Sequence, residues 1–235
     1  MPSAVRPVAV RREARSGARL AWAVPDPALV ASPLLDTDER ERCARLRQPA
    51  DRARHATGRV VAKQEAGRAL GVAPHRVGVR PDTGVTAGRP RLHVDGEAVG
   101  LHLSVAHAGD VVLLGFAAVP CGVDVERTAG LGPVVGSDLI FSARERARLE
   151  RLPAPAGLVL AATWWTAKEA VLKATGLGLL DDPATLDVVE PVVECDGTRW
   201  RWEPLAAPDG YRAALAVLPT EVGDGNPADR WLACE

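Results

Sequence analysis

Twice along this chain a helical pattern is followed by a run of short strand patterns, and that succession restricts the fold more than any other feature. In the first half, residues 51–70 carry Ala53, Ala56, Val60 and Ala66 at helical spacing, the period of a face that packs against something else. Strand patterns follow at 77–79, 101–105 and 111–117, with His107-Ala108-Gly109-Asp110 as the turn of a hairpin and a loop around Gly88-Arg89-Pro90-Arg91. In the second half, residues 164–175 are helical and Gly176 ends them, as glycine commonly does just past a helix. Strand patterns at 185–193, 198–203 and 212–218 come next, with turns at Asp196-Gly197 and Pro208-Asp209-Gly210. A first strand at 19–24 and an acidic helix start at Asp36-Thr37-Asp38-Glu39 precede the first long helix, and a helix around 142–152 precedes the second. Helix then antiparallel strands, twice over, predicts an α+β protein of two similar halves, residues 19–119 and 120–219. Residues 1–18 read as a flexible N-terminal tail and 220–235 as a C-terminal tail.

With 47% hydrophobic residues in 235, the chain can bury a sizeable core. A formal charge of −1 argues against a general nucleic-acid or membrane-surface binder. No apolar run approaches the roughly 18 residues of a membrane span. Cys43, Cys121, Cys195 and Cys234 are scattered without C-x-x-C spacing, which fits free thiols in a reducing cytoplasm. Zinc, P-loop and G-x-S-x-G signatures are absent from the sequence.

The residues able to do chemistry gather in the second half. Of 29 lysines and arginines only Lys63, Lys168 and Lys173 are lysine, and two of these lie within six residues of each other, beside Glu169. Glu169 and Lys173 are one helical turn apart on one face. This is either a compact charge placed for a purpose or an ordinary i,i+4 pair on an amphipathic helix. Asp124 and Glu126, two apart on a strand pattern, point to the same face, with Val123 and Val125 opposite. Oxygen-only ligands suit a hard ion such as Mg²⁺; the same alternation also describes the wet face of a sheet. Arg40, Arg42, Arg45, Arg47, Arg52, Arg54 and Arg59 form either a solvated face or a phosphate-binding group.

Gly122-Val123-Asp124-Val125-Glu126, followed about forty residues on by Trp165-Thr166-Ala167-Lys168-Glu169-Ala170-Val171-Leu172-Lys173, resembles the paired signatures of 4′-phosphopantetheinyl transferases. Gly88-Arg89-Pro90, the run from Leu103 to Gly109 and Phe141-Ser142-Ala143-Arg144-Glu145 resemble the Sfp-type, single-chain branch, and the likeness covers roughly residues 20–218. The resemblance implies a pseudo-dimer: two α+β halves, each a helix on a small antiparallel sheet, with coenzyme A in the cleft between. It implies transfer of the 4′-phosphopantetheine arm to a serine of an apo acyl or peptidyl carrier protein, releasing 3′,5′-ADP, by a cytoplasmic monomer. Carried over, Asp124, Glu126 and Glu169 hold Mg²⁺, and Lys173 neutralises the pyrophosphate. Glu169 takes the serine proton directly or through water. His107 sits near the 3′-phosphate, next to Ala106, where some relatives have serine. Arg42 and Arg89 stand at basic phosphate positions, Arg89 replacing a common lysine, and Arg54 and His55 head the helix that faces the nucleotide. Residues between Glu126 and Trp164, including Leu139, Ile140, Phe141, Arg144, Arg146 and Arg148, form the expected docking flap for the carrier. A non-catalytic carrier-binding module of this fold, and a different Mg²⁺-dependent phosphoryl-transfer enzyme, are the rival readings.

Overall fold

A computed structural model describes residues 10–83, 89–176 and 182–219. Gly88, the N-terminal residues 1–9 and the C-terminal tail from Thr220, with Trp231 and Cys234, lie outside the described residues. The described residues form an α+β structure with two antiparallel sheets and two long helices.

The first sheet has six strands in the order β1 (Val10–Glu13), β2 (Arg19–Ala23), β6 (Val111–Ala117), β5 (Glu97–Ala108), β4 (Pro90–Val94) and β3 (Val77–Pro81). The second has four, in the order β7 (Cys121–Arg127), β10 (Tyr211–Val217), β9 (Thr198–Leu205) and β8 (Val192–Cys195). One face of the first sheet packs on α2 (Pro49–Leu70) through Val61, Ala62, Ala66, Leu103 and Leu114. Its other face meets the second sheet, where Leu20, Trp22 and Leu113 contact the layer of Val123, Val125 and Leu215. The far face of the second sheet packs on α4 (Ala154–Thr175) through Ala170, Val171, Trp200 and Ala214. The layers therefore run helix, sheet, sheet, helix. Covered on both sides, β6 is buried from end to end, which is why its sequence is apolar without alternation.

The helix ends follow local chemistry. Pro49 opens α2 and Gly71 closes it at φ 68°; Gly176 closes α4 at φ 81°, a conformation that costs glycine little. Two short helices, α1 (Thr37–Arg45) and α3 (Ala143–Leu149), each begin with a capping box, Asp36 with Glu39 and Ser142 with Glu145. Both capping glutamates then turn inward onto a lysine. Glu39 pairs with Lys63 at 2.6 Å and Glu145 with Lys168 at 2.8 Å. Each lysine is the fifteenth residue of its 22-residue helix.

Several boundaries differ from expectation. β1 lies inside the segment read as a tail and pairs with β2. The loop expected at Pro90-Arg91 is strand, paired to Arg80 and Pro81. Helix α4 begins at Ala154, ten residues before the aromatic stretch that marked it. Of the strand expected over 185–193 only Val192 and Val193 are strand. Upstream of them, backbone groups are satisfied by side chains instead of a ladder: the Val188 amide donates to Glu145, and the Pro183 and Leu186 carbonyls accept from Lys168. Among the described residues no helix is long and apolar enough to cross a membrane.

Candidate active site

The alternation of β7 sorts its side chains. Val123 and Val125 enter the core between the sheets, while Gly122, Asp124 and Glu126 face α4. The face is therefore covered by a helix, and Asp124 is buried. Gly122 sets how closely that helix lies: a Cβ there would collide with the Ala170 carbonyl and stand 2.5 Å from the Ala174 amide. This approach brings the Lys173 ammonium within 2.5 Å of Asp124 Oδ1. Glu126 accepts a hydrogen bond from Trp165.

The cluster is short of positive charge. Burial holds the Glu126 carboxyl above the usual carboxylate range and Asp124 beside it adds to the shift. Glu169 is raised in the same way, mainly by burial, with Lys173 opposing. Asp124 Oδ2 and Glu169 Oε1 are buried without a hydrogen-bond partner. Buried oxygens of this kind are costly unless something binds them. Three carboxylates around one ammonium fit a hard cation, and Asp124, Glu126 and Glu169 are the residues able to hold it. Among the described residues, however, no three Asp, Glu, His or Cys side chains converge on one ion position. The expected Mg²⁺ ligands are neighbours rather than a formed cage, and Lys173 occupies Asp124 Oδ1.

A second cluster, of opposite sign, lies on the α2 side of the first sheet. A cavity of about 190 Å³ is lined by Arg42, Arg54, His55, Gly58, Arg59, Pro90, Val105 and His107. Arg42 comes from the last turn of α1, and Arg54, His55 and Arg59 from the first half of α2. Arg54 bonds Asp51 at 2.5 Å and the Gly109 carbonyl at 2.8 Å, and Arg59 stands 4.0 Å from Glu39. Burial and the neighbouring Arg59, Arg42 and His107 lower His55 to about 4. His107 is lowered by burial first, then by Arg54 and Lys173. Cationic groups that depress one another inside a concave pocket favour an anion. Lys173 is among the charges that lower His107, so the ammonium of the carboxylate cluster acts electrostatically on the basic pocket.

Of the expected nucleotide contacts, Arg42, Arg54, His55 and His107 line this cavity. His107 does so from strand β5, paired with Val112, and not from a turn; the turn is Gly109-Asp110. Two others do not. Ala106, next on β5, faces the core between the sheets, and Arg89 donates to the Cys121 carbonyl at 3.5 Å. Arg59, which the sequence offers only as one of seven arginines that either solvate a face or bind phosphate, also lines the cavity, one turn after His55 on the same face. In the expected docking flap, Phe141 is core, Arg146 bonds the Phe141 carbonyl at 2.7 Å, and Leu139 is 75% exposed.

Residues 120–216, which hold the carboxylate cluster, match the family model described as the 4′-phosphopantetheinyl transferase superfamily. A holo-[acyl-carrier-protein] synthase of Jannaschia sp. is 41% identical over 91 residues, covering 35% of this chain and 58% of that protein. The 4′-phosphopantetheinyl transferase HetI of Nostoc sp. is 30% identical over 197 residues, 78% of each. The chain thus spans less than two thirds of the first relative but most of the second, and it belongs to the 4′-phosphopantetheinyl transferase superfamily.

Proposed function

We propose that this chain is a Mg²⁺-dependent holo-[acyl-carrier-protein] synthase. It moves the 4′-phosphopantetheine group of coenzyme A to a serine of an apo acyl or peptidyl carrier protein and releases 3′,5′-ADP. The observation that carries this reading is a basic pocket and a carboxylate cluster of opposite unbalanced charge on linked elements: the Gly109 carbonyl accepts from Arg54, and the adjoining Asp110 carboxylate accepts from Arg127, the residue after Glu126. A ligand with a phosphorylated nucleotide at one end and a pyrophosphate at the other matches that polarity. We further propose that residues 19–119 and 120–219 are the halves of a pseudo-dimer with this site in the cleft between. Support comes from the shared order of elements: capping-box helix, long helix with its clamped lysine, then antiparallel strands.

In this reading Arg42, Arg54 and Arg59 bind the nucleotide phosphate by forked, charge-assisted hydrogen bonds. Asp124, Glu126 and Glu169 would hold Mg²⁺, which when bound supplies electrostatic stabilisation to the pyrophosphate. Lys173 leaves Asp124 Oδ1 for the phosphate oxygens, where charge grows as the bond to the departing nucleotide breaks. Glu169, at the edge of the carboxylate cluster, takes the proton of the attacking serine directly or through a water. The flap residues Leu139 and Arg148 offer the carrier helix an apolar and a basic contact.

Intact-mass spectrometry of apo acyl and peptidyl carriers incubated with the protein, coenzyme A and Mg²⁺ tests the proposal. The expected result is a gain of one phosphopantetheine group that EDTA abolishes. No gain on either carrier, together with no coenzyme A binding, would overturn it.

A further inference from the structure

Tyr211 is the only tyrosine in the chain, and it sits at the start of β10, 9% exposed, with its hydroxyl directed to the turn between β5 and β6. That oxygen accepts from Arg127 Nε at 2.8 Å and from the Asp110 backbone amide at 3.2 Å. Arg127 also bonds the Asp110 carboxylate at 2.9 Å and lies 5.6 Å from the centre of the Tyr211 ring. Gly109 completes the fit. At φ +51°, a Cβ there would collide with the Arg127 guanidinium and stand 2.5 Å from the Tyr211 hydroxyl. On its other side the Gly109 carbonyl accepts from Arg54 Nε at 2.8 Å.

The bonds form one path. Arg127 follows Glu126 in β7 and pairs with Tyr211 across the ladder. The Tyr211 hydroxyl holds Gly109-Asp110, and that turn holds Arg54 and ends the strand bearing His107. The acidic cluster is thus tied to the basic pocket through the Tyr211 hydroxyl, with the Arg127–Asp110 pair beside it. The Arg127–Asp110 pair is more than half exposed at both ends, so it adds little stability; what the arrangement supplies is position.

We infer that Tyr211 is a positioning residue that fixes the spacing between the basic pocket and the carboxylates, so that one ligand with phosphates at both ends engages both. The inference rests on the transferase reading above. Positioning errors near 1 Å can cost as much as about a hundredfold in rate. Tyr211→Phe keeps the ring and deletes the oxygen. The expected result is a kcat about tenfold lower or worse at saturating coenzyme A, with the Kd for 3′,5′-ADP, which needs only the basic pocket, within about twofold of wild type. Arg127→Gln, at an exposed side chain, should reproduce the split if the first variant folds poorly. Unchanged kcat refutes the inference. So does an equal loss of 3′,5′-ADP affinity, which would make Tyr211 a wall of the pocket. If the wild-type protein neither transfers nor binds 3′,5′-ADP, the transferase reading fails, and hydrogen exchange still decides the link. Faster exchange spreading from Asp110 to His107 and Arg127 in Tyr211→Phe supports it; faster exchange at Asp110 alone refutes it.

Discussion

Replacing Glu145 by Gln should be among the most damaging single changes outside the site, although the two side chains have the same shape. Glu145 and Lys168 are both 0% exposed. Every oxygen of the carboxylate is used: Oε1 accepts from the Val188 amide at 2.9 Å, and Oε2 accepts from the Ser142 amide at 2.8 Å as well as from Lys168. An amide group turned either way points its N–H₂ at a donor and leaves the buried Lys168 ammonium without its carboxylate partner, with only Asp187 and Asp182 acting on it from farther off. Breaking a buried pair from one side costs about 3–5 kcal/mol. In a domain of this size about 1 kcal/mol moves Tm by 2–4 °C, so a fall of roughly 6–20 °C is expected. Circular dichroism melts and urea unfolding monitored by tryptophan fluorescence would measure it. The double variant Glu145→Gln with Lys168→Met should lose clearly less than the sum of the single losses, because the second change removes the stranded charge. A single-variant loss under about 1 kcal/mol would refute the reasoning, as would strictly additive losses. Glu39→Gln is the matched test in the first half, where Lys63 also takes the Leu34 carbonyl at 2.9 Å.

Three further outcomes test the site. Gly122→Ala should push α4 away from β7, separating Lys173 from Asp124; transfer should fall at least about a hundredfold, and retention of wild-type kcat would contradict the close-approach argument. His55 is depressed to about 4 against an ordinary 6.5, so the fold favours its neutral form. That contribution is present above pH 6.5 and is lost as pH falls toward 4. A bound phosphate favours the charged ring, so NMR titration should find the His55 pKa raised on adding 3′,5′-ADP, with binding tightening as pH falls from 7; a free-state value at or above 6.5 would contradict the burial argument. Glu126→Ala should abolish transfer while leaving the melt within a few degrees of wild type, and normal turnover with normal Mg²⁺ dependence would remove Glu126 from the metal site.

The parts of the fold legible in the sequence were those written in local chemistry. Gly176 bounds its helix through backbone geometry alone, and Asp124 and Glu126 share a face because strand periodicity leaves no alternative. What was not legible depends on partners distant in sequence. Nothing in residues 185–193 reveals that Glu145 and Lys168 will satisfy their backbone and so make a ladder unnecessary. Strand β5 extends through Ala108 because β6 pairs with it to the end, which moves His107 out of the turn. The acidic face of β7 reads equally well as wet or covered until the collision at Gly122 shows how near α4 lies. Arg59 could be set apart in principle by its spacing to His55, but the other arginines of the same stretch read the same way.

The distribution of lysines makes this chain a convenient substrate for chemical footprinting. Lys63 and Lys168 are 3% and 0% exposed and each is locked in an ion pair, whereas the Lys173 side chain is 33% exposed. Apart from the N-terminal amine, an amine-selective reagent therefore meets one accessible target in the native protein, and that target stands beside the Asp124 carboxylate. Labelling at Lys173 reports occupancy of the site without a turnover assay, and appearance of label at Lys63 or Lys168 signals opening of the corresponding half.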